Sequence, residues 1–227
     1  MSKLQIRQAK QSMQLLLVLC ISSGVSVGLF ALRVIATDNV RYWFMLWNLF
    51  LAWLPMLFAL WLRYRLAVSR WLSWQNIILT LLWLSFLPNS FYMVSDLIHL
   101  QDTGEILQLY DVAMMMSFIA NGLVLGYMSV YVIHHELLKR LKARDAHIVI
   151  GLVLLSCGFA IYLGRYLRWN TWDVLINPAA LLFDISERFL HPAIHTETFI
   201  ITFTFFVLIA SLYAVGYQLA HLFKNTK

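Results

Sequence analysis

The stretch LPNSFYMVSDLIHL, residues 87–100, closes an apolar run and carries side chains that can do chemistry. A helix starting near Asn89 or Ser90 sets Asn89, Tyr92, Asp96 and His99 on one face, at offsets of three, seven and ten from the asparagine. An Asp and a His three apart on a helix can share a ligand. Asp96 would serve as a base or cation ligand and His99 as a proton carrier or metal ligand, with Asn89 and Tyr92 orienting what binds. The alternative is an interfacial helix whose polar face meets water. Asp111, at the start of the next apolar run, joins Asp96 and His99 as a candidate catalytic group; complementing a helix dipole is its alternative role.

A second stretch, GRYLRWNTWD at 164–173, places Arg165, Arg168, Trp169 and Trp172 on one helical face. Forked guanidinium groups beside indoles suit a phosphate or carboxylate held at a membrane interface. Asn170 and Asp173 complete this ligand-binding set. In the competing reading the arginines pair with Asp96, Asp111 or Asp173, and the tryptophans anchor the helix. His191 and His195 stand four apart, with Glu197 nearby, and would share a metal if their backbone were helical. No H-E-x-x-H or other established metal spacing accompanies them, so metal and cofactor stay unassigned. The sequence holds no P-loop, dinucleotide fingerprint or serine elbow.

Positioning these residues falls to a hydrophobic chain. Of its 227 residues 61% are hydrophobic and 12% charged, against about 25% charged in soluble domains. Lipid must therefore cover much of the surface. The net charge of +6 sits in short loops between apolar runs, which argues for membrane topology and against nucleic acid. Runs long enough to cross a bilayer occur at about 13–35, 42–62, 71–87, 111–133, 147–164 and 197–220. The expected fold is all-α: one domain over 1–227, a polytopic membrane bundle of about six transmembrane helices. Interfacial helices are expected on the outer face, within 88–110 and 165–196. The first run exceeds the roughly 7–15 residues of a signal core and reads as a retained helix.

Basic residues fix an expected orientation. Lys3, Arg7, Lys10, Arg63, Arg65, Arg70, Lys139, Arg140, Lys142, Arg144, Lys224 and Lys227 fall on one side, which places both termini in the cytoplasm of a plasma-membrane protein. Arg33, Arg41, Arg165, Arg168 and Arg188 fall on the other side, with most of the acids. His134, His135 and His147 belong to a basic loop and are expected to face water or headgroups. Pro88 should end the third helix, because Leu87 before it is pushed off helical geometry. Gly24 with Gly28, and Gly122 with Gly126, form small-residue pairs four apart that suit internal helix packing or dimerisation. The stretch NPAALLFDISERFL, 177–190, is amphipathic and should lie on the outer surface, where it can roof a site. Cys20 and Cys157 sit inside apolar runs and offer no disulfide framework.

FLPNSFYMVSDLIHL (86–100), YDVAMMMSFIANGLVLGYMSV (110–130) and GRYLRWNTWD (164–173) resemble a family of uncharacterised bacterial multipass membrane proteins, a domain of unknown function with LPNxxYxxxDLIHL and GRxLRxNxWD motifs. The resemblance runs from about the second helix to the sixth. It implies a six-helix protein of a bacterial plasma membrane and brings no activity.

Three function classes follow. In the first, an enzyme or lipid-headgroup binder faces outward, built on Asp96, His99, Asp111, Arg165, Arg168 and Asp173. In the second, a small transporter threads a polar path past Asn48, Asn76 and Asn121. In the third, a non-catalytic membrane subunit or scaffold uses its glycine faces and basic loops. The expected partners are the bilayer, an anionic lipid headgroup and a second copy of the chain.

Overall fold

The computed structural model describes residues 3–100 and 104–225, so Asp102 and Lys227 lie outside the described residues, as does 101–103 of the expected outer segment. The helices are α1 (Lys3–Thr37), α2 (Phe44–Leu66), α3 (Trp74–Tyr92), α4 (Glu105–Leu138), α5 (Ala143–Tyr166), α6 (Asp173–Ile176), α7 (Pro178–Leu190) and α8 (Thr196–Asn225). A 3-10 turn, Met93–His99, follows α3. No strand occurs among the described residues. Six of the helices are long and apolar enough to cross a membrane. The connections 38–43, 93–100 and 167–195 gather at one end of the bundle, and 67–73 and 139–142 at the other.

Two expectations about helix ends are overturned. Pro88 does not stop α3, which runs through it to Tyr92. The Asn89 amide donates to the Phe86 carbonyl at 3.0 Å, while the backbone bond that Pro88 cannot make is the one to the Leu84 carbonyl. The change of winding comes four residues after Asn89, where the chain tightens into the 3-10 turn. Asp111 likewise does not open a helix. Gly104, at φ 87°, precedes α4, and Glu105 starts it, so Asp111 lies within the helix.

Two apolar clusters fill the bundle. One joins α2, α3, α4, α5 and α8 around Leu62, Trp83, Phe91, Ile133, Leu154 and Ile209. The other joins α1, α2 and α4 around Phe30, Met45, Met56, Met114 and Phe118. Helix α1 packs mainly on α4, and α8 on α5.

Glycines decide how closely some helices meet. A methyl group at Gly122 would stand 2.8 Å from the Ser90 carbonyl oxygen, and one at Gly126 2.8 Å from Ser90 Cβ. At Gly158 it would reach 2.5 Å from the Thr202 carbonyl oxygen on α8. The second small-residue pair is thus an internal packing face. The first is not, because Gly24 and Gly28 meet nothing within 4 Å.

Candidate functional site

At the end where α3 and α5 finish, three polar side chains converge on one guanidinium. Arg165 Nη2 donates to Asp96 Oδ1 at 2.6 Å and to Ser95 Oγ at 2.6 Å; Nε reaches the same hydroxyl at 3.0 Å. Arg165 Nη1 lies 2.9 Å from His99 Nε2. A guanidinium only donates, so His99 Nε2 accepts and the ring's proton sits on Nδ1 in this arrangement. The second Asp96 oxygen accepts from the Asn48 amide on α2 at 2.7 Å. Asp96 is 1% exposed, so it is a buried carboxylate with a charged partner and a neutral one.

Local structure explains the convergence. The 3-10 turn brings Ser95, Asp96 and His99 around within one short segment. Gly164, just before the arginine, lets α5 approach α3: a Cβ there would stand 3.0 Å from the Tyr92 ring. The Arg165 guanidinium then lies 4.4 Å from the Tyr92 ring centre, a cation–π contact. His99 also meets Phe44 edge-to-face, with centroids 5.3 Å apart.

Beside this cluster lies a cavity of about 680 Å³. Its walls carry Asn48, Asn89, Tyr92, Asp96, His99 and Arg165 on the polar side. Leu51, Leu84, Phe159, Ala160 and Leu163 form the apolar side. Trp47, Trp169 and Trp172 also line it, and Leu181 and Ile185 of α7 close over it. The segment after α5 is tied down at several points. Asn89 donates to Thr171 Oγ1 at 3.0 Å, Trp169 Nε1 to Asp184 Oδ2 on α7 at 2.8 Å, and the Asn170 backbone N–H to Asp173 Oδ2 at 2.7 Å.

The expected site residues therefore divide. Asn89, Tyr92, Asp96, His99, Arg165, Trp169 and Asn170 come together around the cavity. Asp173 acts one step back, holding the turn at Asn170. Arg168 does not share a helical face with Arg165. Helix α5 has ended, and Arg168 adopts a left-handed backbone (φ 59°), which turns the chain so that the Trp169 N–H reaches the Leu163 carbonyl at 3.2 Å. Its side chain is exposed and does not line the cavity.

Asp111 belongs to a different pair: Arg33 grips it with Nε–Oδ1 at 2.8 Å and Nη2–Oδ2 at 3.1 Å, between α1 and α4. Both partners are buried, at 3% and 0% exposure, and the Arg33 guanidinium also lies 4.9 Å from the Tyr42 ring centre.

The other polar candidates separate too. His191 and His195 lie in a non-helical link, His191 near Glu187 at 3.2 Å and His195 near Glu197 at 3.8 Å. Their spacing of four therefore does not aim them at one point. Among the described residues no three His, Cys, Asp or Glu side chains gather as metal ligands. Asn76 donates to Ser69 and to the Arg70 carbonyl at the opposite end, and Asn121 binds Ser26 and the Ser22 carbonyl on α1. The three asparagines thus form no file. His134 is buried, contrary to expectation, because α4 continues to Leu138; its Nδ1 lies 2.8 Å from the Tyr213 hydroxyl.

Asn48 bonds Asp96 at the site wall instead of joining a transport path, and Ser95 and Thr171 enter the network without a signal in the sequence. A polar amide inside an apolar run was the signal for Asn48. Ser95 and Thr171 are common residues in unremarkable positions, and only the fold gives them partners.

Residues 47–210 match the family described as protein of unknown function (DUF1361). Searches of curated proteins and of solved structures find no match.

Proposed function

We propose that this chain, which belongs to the DUF1361 family, holds a membrane lipid by its headgroup in a recess at the outward end of the bundle. The observation that carries this reading is one continuous cavity with a polar wall and an apolar wall. Its volume of about 680 Å³ falls in the usual range for small-molecule sites, roughly 300–1,000 Å³. The polar wall meets the head; the wall of Leu51, Leu84 and Phe159 meets the start of the chains. The tryptophans sit where an amphipathic ring is at home, between headgroup and hydrocarbon. The basic loops 63–70 and 139–144 lie at the opposite end, so the positive-inside rule turns the recess outward, with both termini in the cytoplasm of a bacterial plasma membrane.

The Asp96–Arg165–His99 cluster forms the floor of this site. Each Asp96 oxygen already accepts a hydrogen bond, and Arg165 is spread over three partners. This fits a preorganised binding surface better than a free base or a free phosphate clamp, so binding is the activity assigned.

Lipid extracted from the purified protein and counted by mass spectrometry tests the reading. Wild type should retain lipid at a fixed ratio near one per chain. Ala160→Phe, which fills the apolar side of the cavity, should lose it while keeping the melting temperature within a few degrees. Equal retention by the two proteins would overturn the proposal.

A further inference from the structure

We infer that the head taken by this recess is an uncharged polyhydroxyl group, the sugar of a glycolipid, rather than a phosphate. The inference rests on the lipid-binding reading above and adds the chemistry of the head. It starts from charge. Of the described residues lining the cavity, Asp96 is the acid and Arg165 the base, and they neutralise each other at 2.6 Å. His99 accepts from Arg165 and so adds no charge in this arrangement. Arg168, whose charge would favour an anion, stands outside the lining. An anionic head entering such a site would lose its water without meeting a net opposite charge.

Hydrogen-bonding direction points the same way. One N–H of the Asn48 amide is taken by a carboxylate, and both N–H groups of the Asn89 amide are taken, by the Phe86 carbonyl and by Thr171. Those partners leave the two amide oxygens, which are acceptors, and one Asn48 N–H, a donor, for a ligand. A phosphate ester presents acceptors alone and would face the two amide oxygens with like dipoles. Hydroxyl groups donate as well as accept, and so match both these oxygens and the Tyr92 hydroxyl. The indole rings of Trp47, Trp169 and Trp172 on the same walls offer flat apolar faces for the C–H side of a sugar ring. A site built to bind hydroxyls discriminates strongly against heads that lack them, because its polar groups would be left unpaired.

The test uses the full chain in an oligo(ethylene glycol) detergent, which carries no sugar, with lipid binding followed by native mass spectrometry. The probes are a monoglucosyl diacylglycerol, a phosphatidic acid, a phosphatidylethanolamine, the bare diacylglycerol and soluble methyl glucoside. The glucosyl lipid should bind at one copy, and at least tenfold more tightly than the phosphatidic acid. Asn89→Leu should weaken it about fivefold, the worth of one neutral hydrogen bond. Trp172→Ala, at an exposed position that leaves the polar network intact, should weaken it by a similar factor. Either variant should leave phosphatidic acid unaffected.

Tighter binding of phosphatidic acid or phosphatidylethanolamine, sensitive to these variants, would overturn the sugar assignment and leave the headgroup reading standing. Equal binding of the bare diacylglycerol would also overturn it. Methyl glucoside binding as tightly as the glucosyl lipid would overturn the lipid reading and keep the sugar. If neither variant changes any probe, both fall.

Discussion

Two arginine–aspartate pairs, one with both partners buried and one with its carboxylate buried, hold this end of the molecule, and they do different work. Arg165 binds Asp96 beside the cavity, whereas Arg33 binds Asp111 between α1 and α4. Arg165→Ala should cost about 3–5 kcal/mol, because it leaves the Asp96 carboxylate buried with Asn48 as its remaining partner. Arg165→Lys should recover little of this, since one ammonium cannot reach Ser95, Asp96 and His99 together. Thermal unfolding in detergent reads both variants. For the second pair, a double-mutant cycle with Arg33→Met and Asp111→Leu should show strong coupling, with the double variant more stable than Arg33→Met alone. Simple additivity would mean that the pair is idle. Arg168 offers a third test at this scale. Its left-handed backbone suits glycine, so Arg168→Gly should raise stability by about 1 kcal/mol and leave retained lipid unchanged. A loss of lipid in that variant would restore the headgroup role that its exposure argues against.

Among the elements, glycines fix which helix faces meet. Gly158→Ala should cost about 1–3 kcal/mol, since the new methyl group collides with backbone on α8. Gly24→Ala should cost nothing and gain up to about 1 kcal/mol, because that face of α1 is open and alanine is the better helix former. Comparing the melting temperatures of these two variants separates a real packing motif from one of the same spacing. The course of α3 through Pro88 is also settled among elements. Proline biases the residue before it away from the helix, but the burial of Leu87 and Phe91 among neighbours on α2 and α4 outweighs that bias. The amphipathic α7 roofs the cavity through Leu181 and Ile185, and the Trp169–Asp184 bond locks it to the segment after α5.

At the scale of the whole molecule, orientation is the quantity to measure. A fluorescent protein fused after the last residue should light up in a bacterial host, and alkaline phosphatase fused there should stay inactive. The opposite pattern would turn the recess toward the cytoplasm and end the outward reading. The six-helix bundle was legible in the sequence because lipid imposes a length and a composition on every span, and those are local properties. The meeting of 87–100 with 164–173 was legible only as two suggestive stretches. Their residue types offered charges that could pair, yet a linear pattern cannot say that Asp96 takes Arg165 while Asp111 takes Arg33, since either carboxylate satisfies either arginine. That choice depends on the 3-10 turn at Met93–His99, on the early end of α5 and on the close approach that Gly164 allows. Each of these is a matter of how neighbouring helices press on one another. The sequence by itself therefore determined the class of solvent and the number of crossings. Tertiary packing decided which charges pair, and so where a neutral, hydrogen-bonding recess is left open.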